Sequence, residues 1–194
     1  MLIIFLTIIL FYMKITIIAG SPRPESLSAR VALHVEKYLA TQFPAHTYML
    51  VDVRKYNLPF VQNVFTSLEN TPTEWKPLAE IMFSSDAFVL VSPEYNGSYS
   101  PAMKNLLDHF PKYSRKTFGI VTSSPGAMGG MRATQQMLQL IAGISGIASP
   151  TMLIVPAVDK KFAENGDLLD ENFAKSVTVF ANEFVWLAES IAKK

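Results

Sequence analysis

Lys14-Ile15-Thr16-Ile17-Ile18-Ala19-Gly20-Ser21-Pro22-Arg23-Pro24-Glu25-Ser26-Leu27-Ser28 is the stretch that decides the fold. It opens on an apolar, β-branched run, Lys14–Ala19, the composition of a buried strand. Gly20 and two prolines then interrupt it. From Leu27 onward, Leu27, Val31, Val35, Tyr38 and Leu39 fall on one helical face. A strand therefore passes into a helix through a short loop rich in hydroxyls.

The same cadence continues along the chain. Thr47–Val51, Ala87–Val91, Thr117–Thr122 and Met152–Val155 read as further strands. Trp75–Ser84, Pro101–Phe110, Gly130–Ser145 and Glu171–Ala192 read as helices. The helix from Gly130 is expected to turn Met131, Leu138, Ile141 and Ile144 inward. The last is expected to bury Phe173, Val177, Phe180, Phe184, Leu187 and Ile191, leaving Val179 and Trp186 off its stripe. Tyr113 is expected to be exposed near the end of the helix from Pro101. Strands alternating with helices predict an α/β protein with a five-stranded, parallel, doubly wound sheet in three layers. At 194 residues, with 49% hydrophobic side chains, the chain can bury one proper core. Residues 13–194 are expected to form that one domain.

Composition removes several classes of function. The chain has 17 Lys+Arg against 16 Asp+Glu, a net charge of +1. That leaves no electrostatic footprint for nucleic acid and no polybasic membrane patch. With no cysteine there are no disulfides, thiolate nucleophiles or Cys-ligated metals, which fits a reducing compartment. His34, His46 and His109 lie far apart without metal-ligand spacing, and read as surface or packing residues. No metal site is expected.

Residues 1–12 are an apolar prefix, read as an extension outside the fold; a weak anchor and an ordered segment are the alternatives. No basic residue precedes Lys14, as a signal peptide would require. The run is also shorter than the roughly 20 apolar residues of a membrane span. A soluble, cytoplasmic protein without a membrane partner is expected.

In doubly wound sheets, ligands bind beyond the carboxyl ends of the strands. Three loops lie there: Gly20–Ser28, Ser92–Pro101 and Ser123–Gly130. The first offers Ser21, Ser26 and Ser28 hydroxyls and the Arg23 guanidinium ahead of a helix N-terminus, a setting that suits a phosphate. A serine-capped helix beside a solvated Arg is the plain alternative. It is neither a P-loop nor a dinucleotide fingerprint, because no Gly-Lys pair and no G-x-G-x-x-G occurs. In the second loop Pro93 and Asn96-Gly97 are turn residues, Tyr95 offers a flat ring, and Glu94 and Asn96 offer hydrogen bonds. They suit the edge of a planar heterocycle, though a bare strand-to-helix turn stays open. The third loop carries Gly126, Gly129 and Gly130, which let backbone approach a ligand or simply connect two elements.

Gly20-Ser21-x-Arg23-x-x-Ser26, then Pro93-Glu94-Tyr95-Asn96-Gly97-Ser98, then Met103-Lys104-Asn105-Leu106-Leu107-Asp108 together resemble the NADPH-dependent FMN reductase family. This is the flavodoxin-like group of chromate, quinone and azo reductases. The similarity runs from about Met13 to Val155, and more weakly through the last helix. It implies non-covalent FMN, with its phosphate on Ser21, Arg23, Ser26 and Ser28 and with Leu27 in the same loop. It implies a flavin ring against Pro93, Glu94, Tyr95, Asn96 and Gly97, and a third loop closing over the ring at Ser124 and Gly126. Where the family often carries Asn, this chain has Ser28, whose shorter hydroxyl still donates. Arg54–Thr73, with Asn57-Leu58-Pro59-Phe60, resembles the variable loop on the acceptor side.

The resemblance implies an NAD(P)H oxidoreductase, with NADPH or NADH reducing FMN and a quinone, azo, chromate or flavin acceptor taking two electrons. The cofactor carries such a reaction, so no catalytic acid or base is expected from the chain. A homodimer or homotetramer with FMN sites at the subunit interface is also implied. The rival readings are a flavodoxin-type electron carrier and a non-catalytic FMN-binding regulator. The net charge of +1 argues against the usually acidic carrier.

Overall fold

Successive side chains of β1 (Lys14–Ala19) serve two different cores, because a strand alternates its faces. Ile15, Ile17 and Ala19 enter one, with Val31, Val35 and Leu39 of α1 (Leu27–Gln42) and Phe180 and Phe184 of α6 (Ala174–Ala192). Ile18 enters the other, with Leu78 and Met82 of α2 (Lys76–Ser84), Leu106 and Leu107 of α3 (Pro101–Asp108), and Met137 and Ile141 of α4 (Met131–Gly143). The computed structural model describes residues 12–192; the expected prefix, through residue 11, lies outside the described residues. Met13 is fully buried, and its carbonyl accepts from Thr47 N at 2.9 Å.

The sheet is parallel throughout. β2 (Thr47–Asp52) pairs with β1, β1 with β3 (Ala87–Pro93), and β3 with β4 (Thr117–Ser123). The order β2-β1-β3-β4-β5 is that of flavodoxin-like folds, with its switch point between β1 and β3. β3 and β4 are almost wholly buried, as the apolar runs predicted. Layers of helix, sheet and helix match the fold read from the sequence.

The fifth sheet position departs from expectation in detail. It is split into β5 (Ile147–Ala148) and β6 (Leu153–Val155), each parallel to β4. Between them Ser149 N still bonds Phe118 O, but Pro150 has no N–H to continue the ladder. The short α5 (Val158–Lys161) follows.

Helix boundaries and faces also shift. A 3₁₀ turn, Thr73–Trp75, precedes α2, and another, Glu171–Phe173, precedes α6, capped by Asp170 accepting from Asn172 N. α3 ends at Asp108 rather than Phe110, ahead of Pro111, which cannot join the helix ladder. Met131 is exposed, not inward; as the first residue of α4 it points off the face that Ala133, Thr134, Met137, Leu140 and Ile141 bury. Tyr113 is not exposed either. Its ring sits edge-on to Phe88 and Phe118, and burial pushes its hydroxyl pKa well up. Val179 and Trp186 of α6 are exposed as expected.

Candidate functional site

The β1–α1 loop starts with a steric demand. A Cβ on Gly20 would lie 2.4 Å from Met103 Cε and 3.2 Å from Val91 O, so only glycine lets β1 end this close to α3. Gly20 N donates to Val91 O at 2.9 Å, and Gly20 O accepts from Ser100 Oγ. Ser100 N in turn bonds Ser92 Oγ at 2.9 Å, and Ser100 Oγ caps α3 through Met103 N. Two buried hydroxyls that the sequence did not single out thus tie the first loop to the second.

Past Gly20, Ser21 is buried and its Oγ accepts from Arg23 N at 3.4 Å. Ser26 is the N-cap of α1, accepting from Ala29 N at 3.0 Å, and its Oγ lies 3.1 Å from Ser28 Oγ. Both serines are buried, while Leu27 between them is half-buried and packs toward the α1 core. The guanidinium carbon of Arg23 lies over the Tyr95 ring, 4.9 Å from its centroid. The capped-helix reading and the anion reading are therefore compatible. Ser26 caps α1 and still leaves a hydroxyl pair at a helix N-terminus.

In the second loop, Tyr95 and Ser98 exchange both backbone hydrogen bonds, at 2.8 and 3.0 Å. Asn96 and Gly97 both take positive φ, 51° and 85°. That is the type I′ turn that an Asn-Gly pair favours. Glu94 does not present a free carboxylate: Arg132 of α4 donates from Nε to its Oε1 at 2.8 Å, with Nη2 in ion-pair contact at 2.7 Å. This pair joins the second loop to the first turn of α4.

The third loop needs glycine further along than Gly126. A Cβ at Gly126 would meet only Ser124 Oγ, at 3.5 Å, an ordinary contact. At Gly129 (φ 60°) it would strike Pro156 N at 2.7 Å, and at Gly130 (φ 83°) it would press on Thr122 and Ser123. Ser124 N bonds Val155 O and Ser124 O accepts from Val158 N, so Ser124 is fastened to β6 and α5. Among the described residues no hydrogen bond joins Ser124 or Gly126 to the first two loops.

Beside the loops lies a charged pair at the end of β2. Burial alone would raise the Asp52 carboxyl pKa, but the hydrogen bonds from Arg54 outweigh it and hold it below the usual carboxylate range. Those same bonds raise the Arg54 guanidinium. On the other side, Asn105 fastens the segment after β2. Its Nδ2 donates to Pro59 O at 2.9 Å and its Oδ1 accepts from Val61 N at 3.2 Å, leaving Phe60 84% exposed. A cavity of about 870 Å³ lies between α3 and α4, against Val61, Tyr99, Lys104 and Leu140, and not at the anion loop. A smaller one, about 440 Å³, touches that loop at Pro24, Glu25 and Ser26.

The donor set suits a phosphate monoester carried by a planar ring. Hydroxyls and a guanidinium gather at the N-terminus of α1, next to an aromatic turn. Thr122 Oγ1 and Ser123 Oγ at the end of β4 are buried with no partner among the described residues, so polar groups there await one. An α/β sheet with such a cradle at its switch point defines a flavodoxin-like class of protein.

Comparison with known proteins narrows the class. The sequence profile of the NADPH-dependent FMN reductases matches residues 13–159, and the chain belongs to that family. It is therefore an NADPH-dependent oxidoreductase that works with FMN. An FMN-dependent NADPH-azoreductase of Staphylococcus haemolyticus is 30% identical over 184 residues, covering 89% of this chain and 94% of that protein. The solved structure of FerB, a flavoenzyme NAD(P)H:(acceptor) oxidoreductase from Paracoccus denitrificans, superposes with a TM-score of 0.71 at 22% identity, over 92% of this chain and 98% of its own. A flavodoxin from Pseudomonas aeruginosa gives 0.56 at 18% identity, over 89% and 99%, and shares the fold. Among the described residues no helix is long and apolar enough to cross a membrane.

Proposed function

We propose that the three loops after β1, β3 and β4 together bind FMN without a covalent bond. Ser21, Arg23, Ser26 and Ser28 take its phosphate, with Leu27 in the same turn. Pro93, Glu94, Tyr95, Asn96 and Gly97 line its ring, and Ser124 and Gly126 lie over it. The observation that carries this reading is the Ser26–Ser28 hydroxyl pair, 3.1 Å apart, at the N-terminus of a 16-residue helix. FMN would supply the redox chemistry there, a hydride received from NADPH or NADH and two electrons passed to a small-molecule acceptor.

The chain's own part is binding and orientation. Tyr95 and Ser98 lock a turn whose backbone has little freedom to reorganise around a ligand. Arg132 keeps the Glu94 carboxylate turned toward α4, so it is not a free base at the site. The Asn105 clamp sets the segment carrying Phe60 beside α3, where an acceptor pocket would form. The azoreductase names of the relatives favour an azo acceptor; quinone, chromate and flavin are the other candidates.

A homodimer or a homotetramer fits the exposed apolar side chains Phe60 and Val64, which lie on the segment after β2. Light scattering at micromolar concentration tests it; a fully active monomer would remove it. A domain spanning residues 13–194 in the cytoplasm, where NADPH is regenerated, completes the reading. The decisive experiment is the absorbance spectrum of the purified protein, followed by anaerobic titration with NADPH and NADH. Flavin bands that bleach with the nucleotide and recover with an azo dye or quinone support it. A protein that binds no flavin overturns it.

A further inference from the structure

Arg54 stands outside the three loops, on the 3₁₀ turn Val53–Lys55 just after β2, yet it reaches into the first of them. Among the described residues, no backbone–backbone hydrogen bond from another part of the chain reaches Pro22 to Glu25. The hydrogen bond that grips this span from outside comes from Arg54, whose Nη1 donates to Pro24 O at 2.6 Å. Arg54 has little freedom of its own. Its Nε lies 2.9 and 3.0 Å from the two Asp52 carboxylate oxygens, and its Nη2 lies 2.5 Å from Oδ2. Asp52 Oδ1 also caps the turn through Arg54 N at 3.0 Å.

Asp52 is only 6% exposed and pairs in register with Ala19, the last residue of the strand that feeds the loop. The guanidinium is thus anchored to the sheet beside the loop's root. Its charge is matched by Asp52, so what it offers the loop is a fixed donor more than a field. Pro22 and Pro24 already fix two φ angles; the grip on the Pro24 carbonyl restrains the rotation that remains.

We propose that Arg54 is a positioning residue for the cofactor phosphate. Locked by Asp52, it holds Pro24 and so keeps Ser21, Arg23 and Ser26 in register before binding. The inference rests on the reading that this loop takes the FMN phosphate. A loop already ordered loses less entropy when its ligand arrives.

The test compares FMN with riboflavin, which lacks the phosphate, by fluorescence titration of flavin-stripped protein over a range of salt. Arg54→Ala is expected to raise the dissociation constant for FMN about ten-fold, the scale of one hydrogen bond from a charged group. Riboflavin should bind variant and parent alike. Arg54→Lys, which keeps a donor but loses the fork, should recover part of the loss. The salt dependence of FMN binding should stay at the parent's slope in Arg54→Ala and flatten in Arg23→Ala, which removes a direct charge contact.

An unchanged FMN affinity in Arg54→Ala, with a weakened one in Arg23→Ala, overturns the inference and leaves the phosphate site standing. No change in either variant removes the phosphate reading itself, and this inference with it. Flattening of the salt slope in Arg54→Ala to the same degree as in Arg23→Ala also overturns it, because Arg54 would then touch the phosphate directly. Circular dichroism checks the fold. Should Arg54→Ala not fold, Arg54→Lys is held to the same criteria.

Discussion

Arg23 and Tyr95 meet from loops that follow different strands, the guanidinium carbon over the ring at 4.9 Å from its centroid. The contact joins the loops that follow β1 and β3. It also sets one cation between the anion cradle and the aromatic turn. Arg23→Ala should therefore weaken FMN binding by about 1.5–3 kcal/mol, the range for a hydrogen bond to a charged group. Riboflavin affinity should hardly move. Calorimetric titration with both flavins checks this, and equal losses for the two would mean that Arg23 serves the ring and not the phosphate.

Loop three makes a prediction by contrast between two of its glycines. Gly129 has φ 60° and no room for a Cβ against Pro156 and Val155, whereas at Gly126 a Cβ would make only an ordinary contact with Ser124. Gly129→Ala should cost about 1–3 kcal/mol of stability, the usual penalty for overpacking. Gly126→Ala should stay within roughly 0.5 kcal/mol of the parent. Urea unfolding of the two variants measures both, and equal penalties would contradict the described backbone.

The Glu94–Arg132 pair is lopsided: Arg132 is largely exposed and Glu94 is not. Solvent screens such a pair, so its coupling in a double-mutant cycle with Glu94→Gln and Arg132→Ala should be about 0.2–1 kcal/mol. Raising the salt should shrink it further. A coupling indistinguishable from zero at low salt would show that the pair does not hold the second loop to α4.

Asp52 gives a pH signature whose sign follows from its depressed pKa. Arg54 holds the folded-state carboxyl below the unfolded value of about 3.9, so its stabilising contribution is fully present above that value. It is lost as pH falls through the folded-state pKa. The stability gap between parent and Asp52→Asn should therefore be flat from neutral pH down to about 5 and should narrow below about 4. Denaturation at a series of pH values checks it; a gap that grows on acidification would refute the ion pair.

Much of this protein is written in local spacing. The alternation within Lys14–Ala19, the continuous apolar runs of β3 and β4, and the helical stripe of α1 follow from periods that neighbouring residues set. The Asn96-Gly97 turn and the Ser26 cap belong here too, since each depends on residues a few positions apart. What tertiary structure alone decided are partnerships between distant segments. Ser100 meets Gly20 across 80 residues, Arg132 meets Glu94 across 38, and Arg54 meets Pro24 across 30. Those meetings depend on the strand order β2-β1-β3-β4, which sets side by side the ends of strands that are not consecutive in the chain. The burial of Tyr113 against Phe88 and Phe118 is of the same kind. A residue just past a helix carries no period to announce its burial, so only the packing of β3 against β4 could place that ring inside.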